Sequence, residues 1–356
     1  MSRHRQGAPL FLIQKYRQGT VFNLQTDRDS RRFGWVISGL AVLVPASLVI
    51  SASAGSIVID WSVVVETIRT GRPSIDHTII FELRLPRSVS ALVVGASLSL
   101  AGVLMQALLR NPLADPYVLG TSGGAAVFAL IVMLLGLPYQ TVSLAAAAGA
   151  VLSLTLVIFL SRDAGGWSST RLLLTGIVVA SGWGALISFL LSISQQSQVQ
   201  GMLFWLMGNF REGGPGFLHC LVLLVVLVFS LFSSRGLNLL VAGTLKAESL
   251  GVHTLGLRLA MLIGAGLLTA VAVTLAGAIG FVGLVVPHMM RLIVGSDHRR
   301  LIPASVMMGG SLLVITEMLA RTVLAPRQLP VGVITAFVGV PLFLYLLRRG
   351  SRPQAQ

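Results

Sequence analysis

Glu317 and Arg321 are the first residues in this chain whose types and spacing could do chemistry. They stand four apart at the end of an apolar run, which places both on one helix face. A charge in such a run is costly unless it is paired or used. Either the two neutralise each other or they belong to a functional site. Two further basic sets border apolar runs: Arg84 and Arg87 in the sequence RLPR, and Arg291, Arg299 and Arg300 beyond Pro287. Other reactive chemistry is sparse. The six histidines (His4, His77, His219, His253, His288 and His298) are scattered without a ligand cluster, and the single cysteine, Cys220, excludes an intrachain disulfide. No glycine-rich loop ending in Gly-Lys-Ser/Thr is present, so the chain carries no P-loop ATPase. Nothing in it forms a catalytic triad or a carboxylate pair, which argues against an enzyme. Span centres almost lack the acidic residue that proton- or sodium-coupled carriers use, so the expected energy source is external.

The elements that must position these groups are apolar helices. Of 356 residues, 54% are hydrophobic and 11% charged, with a mean hydropathy of +0.86. Ordinary soluble domains run at roughly 45–50% apolar and about 25% charged. The chain reads as an all-α polytopic membrane protein. Its net charge of +14 is carried in the gaps between apolar runs rather than on one folded face, which argues against nucleic acid as a partner.

About ten transmembrane helices are expected, near 35–59, 88–109, 117–135, 138–160, 172–193, 217–232, 259–276, 281–294, 302–320 and 331–347, with 281–294 the shortest. The third and fourth, joined by a short turn, should be antiparallel neighbours. Residues 1–34 read as an arginine-rich cytoplasmic tail, disordered or with 9–16 lying on the membrane surface. Residues 35–350 form the transmembrane domain, and 351–356 a second cytoplasmic tail. The run MLFWLMGNF within 194–216 is too short to cross and is expected at the interface, with Phe204 and Trp205 at headgroup level.

Small residues mark the expected packing faces. Gly95, Ser99 and Gly102 have helix-packing spacing, and Gly277, Gly280 and Gly283 would form a stripe if they shared one helix. Pro287 should kink or end its helix and leave His288 and Arg291 near the water boundary. Leu-Ala-Gly recurs at 100–102 and 275–277 with a proline ten residues after each glycine, a weak sign of an inverted repeat. With ten crossings and the N-terminus inside, nineteen of the 26 arginines and lysines fall on the inner side, so both termini are expected in the cytoplasm.

Several ordered blocks carry a family resemblance. RLPR at 84–87, GASLSLAGVLMQALLRNPLADPYVLGTSGGA at 95–125, RLLLTGI at 171–177, AGAIGFVGLVVPHMMR at 276–291 and LPVGVITAFVGVPLFLYLL at 329–347 resemble the iron-chelate and cobalamin (FecCD-type) branch of bacterial ABC importer permeases, over about residues 35–350. The resemblance implies a type II importer permease in the inner membrane, with ferric siderophore as the preferred cargo and haem or cobalamin as alternatives. It also implies a second permease copy with the pore between the two, two cytoplasmic ATPases that hold the ATP and magnesium, and a periplasmic binding protein. This chain itself would hold no cofactor. An ion-coupled secondary transporter is the alternative class.

The resemblance also assigns residues. Arg84, Arg87 and Arg321 match outward arginines that dock acidic residues of the binding protein, although RLPR read alone also suits an interfacial anchor and helix start. The coupling loop falls at about 233–258, with Gly243, Leu245, Ala247, Leu250 and Gly251 against the ATPase. The family's usual acidic residue after the glycine is here Thr244, and its usual aspartate is here Glu317. Ser169 and Thr170 match small polar residues that narrow the inner mouth, or else simply cap a helix. Cargo contacts are expected on the fifth and tenth spans.

Overall fold

A computed structural model describes residues 10–55, 59, 69, 74–138, 140–162, 168–210 and 213–350. The helices are α1 (Leu10–Ser53), α2 (Ile75–Leu108), α3 (Thr121–Leu134), α4 (Gln140–Leu160), α5 (Ser169–Ile193), α6 (Gln196–Leu206), α7 (Phe217–Phe232), α8 (Ser234–Ala242), α9 (Thr244–Ser249), α10 (Thr254–Ala276), α11 (Val282–Val294), α12 (His298–Thr322) and α13 (Val331–Gly350). Among the described residues, six helices are long and apolar enough to cross a membrane, or seven if α7 and α8, bent by 62°, count as one span. Helices α3 and α11 and the apolar part of α13 are shorter. Each of the ten expected spans corresponds to one helix: α1 to α5, α7, and α10 to α13.

The core forms around α2, whose apolar stretch is 89% buried, far more than that of any other span. Small side chains make this possible, because a helix surrounded on all sides must let several backbones come close. A Cβ at Gly95 would run into the Gly309 carbonyl on α12, and one at Gly102 into the Gly283 carbonyl on α11. Both contacts involve glycines of the expected packing face. Helices α3 and α4 pack as the expected antiparallel pair through Gly124 and Gly149, each of which occupies the space a Cβ on the other would need.

Several expectations change. Helix α1 begins at Leu10 and ends at Ser53, so the backbone of 10–34 is helical rather than irregular; residues 1–9 and 351–356 lie outside the described residues. RLPR lies inside a helical run. Ile75–His77 leads into a π-helical segment, Thr78–Arg84, which passes directly into Leu85–Leu108, and Leu85 N–H bonds to the Ile80 carbonyl five residues back. Pro86 has no N–H to hold the α register there.

The 277–283 glycines do not form one stripe. Gly277, at φ 65°, caps α10, Gly280 lies in the connection, and Gly283 alone sits in α11. The Leu-Ala-Gly echo therefore has unlike settings, mid-helix in α2 and at a helix end in α10. Pro287 does not end α11, which continues to Val294, and His288 and Arg291 beyond it are half-exposed. Trp205 is not an interfacial anchor: it is buried among Ala125, Val142, Ala146 and Val273, because the 207–210 segment is pulled inward. Asn209 N–H bonds to the Ala276 carbonyl at 2.8 Å, and Val331 N–H to the Gly208 carbonyl at 2.9 Å, so this segment satisfies groups at the end of α10 and the start of α13.

The close approach of α2 to α12 generates a test. Gly309→Val would drive a side chain into Ser99 and the Gly95 carbonyl and should cost about 1–3 kcal/mol. Gly39→Ala in α1, where a Cβ meets nothing within 4 Å, should be neutral. Thermal unfolding midpoints of both variants in detergent check this.

Candidate functional site

At one end of the bundle α1, α2 and α12 meet around a single carboxylate. Glu317, on α12, is completely buried. Arg321, one turn on, brings its Nε within 2.8 Å of Glu317 Oε1 and 3.0 Å of Oε2, and Arg87 of α2 directs its Nε to Oε1. A buried carboxylate left alone would be strongly destabilising, and two flanking guanidiniums supply both charge and donors.

Each arginine is itself tied down. Arg87 donates to Gln328 Oε1 at 2.9 Å and Asn209 Oδ1 at 3.4 Å. Arg321 donates to Ser51 Oγ at 2.8 Å and to the Ser51 carbonyl at 3.3 Å. Arg84 reaches the Ala52 and Ser53 carbonyls at 3.0 and 2.9 Å, placing a cation on the C-terminus of α1, where free carbonyls and the helix dipole favour it.

The three arginines expected to dock a binding protein are largely buried, with exposures of 6% for Arg84, 8% for Arg87 and 7% for Arg321. Desolvated guanidiniums need fixed acceptors, and these acceptors lie inside the bundle. Arg87 alone of the three lines an open polar cavity of about 710 Å³, shared with Gln140, Asn209, His219, Thr274 and Gln328. Sequence reasoning found the Glu317 and Arg321 pair but missed Ser51, Asn209 and Gln328. Their only signal was a polar residue at the end of an apolar run.

At the opposite end lies the segment from α8 to the start of α10. Leu245 and Leu250 are 83% and 60% exposed. Gly243 and Gly251, at φ 143° and 80°, are the turns that set α9 off from its neighbours. Ala247 departs from expectation. It is fully buried, and its carbonyl accepts the Val252 N–H at 3.0 Å, which closes the turn that follows α9.

Two hydrogen-bonded groups missed by sequence reasoning hold the segment. Thr244 Oγ1 receives Arg110 and Arg258, and Asn238 of α8 donates to Asp297 Oδ1 at 2.7 Å while its Oδ1 accepts the His298 N–H at 3.0 Å. Asp297 also caps α12 by accepting the Arg299 N–H at 3.1 Å. Burial works against its charge, yet the Asn238 amide, the Arg299 N–H and the Arg299 and Arg300 cations outweigh this and hold its carboxyl below the ordinary 3.8. Ser169 is the first residue of α5 and donates to the Leu108 carbonyl at 3.4 Å; Ser168, not Ser169, is the cap residue, and Thr170 is exposed. The helix-cap alternative thus falls one residue earlier.

An apolar cavity of about 600 Å³ lies between Leu206, Ala278, Phe281 and the α13 residues Val333, Phe337 and Val340. On α5, Leu174, Val178 and Phe189 are exposed, and Gly182 and Gly184 face open space. Among the described residues, these two apolar faces have no cover.

Removing the central carboxylate should leave two arginines buried against each other. Glu317→Gln is expected to destabilise the chain by about 3–5 kcal/mol, and Glu317→Asp, which keeps the charge with less reach, by less. Unfolding midpoints of the two variants, measured side by side, check the order. Asp297→Ala should cost about 1 kcal/mol of cap. Because the folded carboxyl titrates below 3.8, that contribution is present above pH 3.8 and disappears as pH falls through the lowered value. The gap between wild type and Asp297→Ala in a pH series of midpoints should close on acidification.

Known proteins place the molecule. The model of the FecCD transport family matches residues 42–349. The chain is 39% identical over 288 residues to an uncharacterized ABC transporter permease, YvrB of Bacillus subtilis, covering 77% of this chain and 80% of that one. It is 36% identical to the vitamin B12 import system permease protein BtuC of Escherichia coli over 93% of this chain and the whole of that one, and 38% identical to BtuC of Klebsiella pneumoniae over 93% and 97%. A solved chain described as a metal-chelate type ABC transporter in an inward-facing conformation superposes with a TM-score of 0.78 at 29% identity, covering 89% of this chain and 99% of that one. With that match running through every span from the end of α1 to α13, the chain belongs to the FecCD transport family and is the permease of an ABC importer.

Proposed function

We propose that this chain forms half of the translocation path of an ATP-driven importer for a metal chelate. It sits in the bacterial inner membrane with both termini in the cytoplasm and is driven by separate ATPase subunits. The observation that carries this reading is the α8–α9 segment: two large exposed apolar side chains, Leu245 in a short helix and Leu250 at its end, with the start of that helix tied by Thr244 to Arg110 and Arg258. Apolar knobs on a rigid mount suit a groove on a partner that rotates, and the chain has no ATP-binding loop of its own.

Cytoplasmic placement of this segment follows from the positive-inside count. It puts the Glu317 cluster and the polar cavity on the periplasmic side, where a binding protein delivers cargo. The docking role of the three arginines then divides. Arg87, which lines the cavity, is the group an acidic side chain of the binding protein can reach, while Arg321 shares Glu317 with it and Arg84 ties α2 to the end of α1. The uncovered apolar faces of α5 and α13 suit a second permease copy and the cargo path between the two. Ser169 and Thr170, at the inner end of α5, are placed to narrow its mouth.

Cobalamin is the cargo favoured by the relatives named as B12 permeases. Ferric siderophore, the preferred cargo of the sequence resemblance, is the second reading, supported by the metal-chelate neighbour, and haem is a third.

Replacing both Leu245 and Leu250 with Asp should remove about 2 kcal/mol or more of ATPase binding, the scale of an interface hot spot, with the unfolding midpoint unchanged because both side chains are exposed. Co-purification and stimulated ATP hydrolysis with the ATPase encoded nearest this chain check it. Undiminished stimulation would remove the coupling role.

A further inference from the structure

The segment from α8 to α9 is fastened by side chains at two points, and the two lead to different helices. Thr244 of α9 is bonded to Arg110, just past α2, and to Arg258 of α10. Asn238 of α8 is bonded to the start of α12 through both ends of its amide. Its Nδ2 donates to Asp297 Oδ1 at 2.7 Å, and its Oδ1 accepts the His298 N–H at 3.0 Å and lies 2.6 Å from His298 Nδ1. An amide oxygen only accepts, so the ring proton sits on Nδ1. Three bonds from one side chain fix both distance and direction.

Capping accounts for one of the three. Asp297 is the cap residue of α12, and the His298 N–H is a free donor of its first turn. The bond from the His298 ring and the bond to the Asp297 carboxylate go beyond what a helix start requires. Burial then decides what moves with what. His298 is 3% exposed, and Leu301 and Ile302 beyond it are fully buried, as are Leu237 and Leu240 on α8. Apolar packing holds α8 against the bundle but is non-directional. The Asn238 clasp supplies the direction. Between the two fastenings lies Gly243, at φ 143°, a joint about which α9 can turn relative to α8. Past the clasp, α12 runs unbroken from His298 to Thr322. Glu317 lies about 28 Å along it from His298, at 1.5 Å per residue.

We propose that Asn238 is a positioning residue that makes α8 and the first turn of α12 one rigid body, through which ATP-driven motion of the ATPase reaches the helix bearing Glu317. The proposal rests on the importer reading and assigns it a transmission route of its own, separate from the tie between Thr244 and Arg110.

Two measurements on the permease assembled with the ATPase and binding protein encoded nearest to it test this. Arg235 on α8 and Arg299 on α12 are exposed; spin labels on Arg235→Cys and Arg299→Cys, in a Cys220→Ser background, report whether the two helices move together. Their separation should stay fixed between the ATP-free and vanadate-trapped complexes, and should change between them once Asn238→Ala is added. The second measurement is uptake per ATP hydrolysed, with cobalamin, ferric siderophore or haem, whichever the wild type takes up. Asn238→Asp keeps the oxygen that His298 uses and sets a second carboxylate against Asp297. It should lower cargo per ATP about tenfold with ATPase binding unchanged. Asp297→Asn alone still caps α12 and still accepts from Asn238, so it should transport as the wild type does. In the double variant the amide donates to the carboxylate with the direction reversed, and cargo per ATP should recover. Wild-type cargo per ATP in Asn238→Asp, or a label separation that changes without Asn238→Ala, overturns the positioning role and leaves the importer reading standing. So does a loss of ATPase binding in Asn238→Asp, which would make the residue part of the docking surface only. A wild-type chain that binds no ATPase contradicts the importer reading, and the positioning role with it.

Discussion

A carboxylate with no exposure to solvent has to be surrounded by cations and donors, and meeting that demand for Glu317 fixes one end of this molecule. Arg321 comes from the same helix, Arg87 from α2, and through Arg321 the Ser51 hydroxyl and carbonyl bring in α1. Arg84 adds a second tie from α2 to the last carbonyls of α1. The cluster therefore sets the relative position of three helices. What remains open there is the polar cavity beside Arg87. The guanidinium that lines this cavity is held in position by its partners, and a group fixed in that way loses little freedom on binding.

Helix α2 joins the two ends. Arg84 and Arg87 lie at the start of its Leu85–Leu108 portion and Arg110 just past its end, a separation of about 36 Å at 1.5 Å per residue. Close backbone contacts at Gly95 and Gly102 clamp it to α12 and α11 along the way. Gln106 near its far end donates to the Leu284 carbonyl of α11 at 3.3 Å and accepts Arg291 at 3.1 Å. A helix packed so tightly moves as a unit with its neighbours. A displacement of the α8–α9 segment, to which Arg110 is bonded through Thr244, would thereby be transmitted through a stiff element to the end that holds Glu317.

Much of this was legible in the sequence. Composition and apolar run lengths are set by the solvent, and ten runs became ten helices. The small-residue face of α2 could be read because a missing side chain has meaning whatever lies opposite. The i, i+4 pairing of Glu317 and Arg321 is likewise local. What could not be read depends on partners distant in the chain. The span bounds already put a break between 276 and 281, where the structure has it, although the glycine spacing taken alone suits a packed helix and a turn equally. Trp205 looked interfacial by residue type, and was drawn into the core because 207–210 bonds to the ends of α10 and α13. Thr244 marked a departure from the family pattern, yet only the fold brings Arg110 and Arg258 to it.

The account stands or falls on its energy source and cargo. Right-side-out proteoliposomes holding this chain with the ATPase and binding protein encoded nearest to it, loaded with ATP, would be offered cobalamin, ferric siderophores and haem in turn, with vanadate and ionophores as inhibitors. The account predicts entry of one metal chelate that needs internal ATP, stops with vanadate and ignores ionophores. Entry that continues in vanadate and collapses with an ionophore would contradict it.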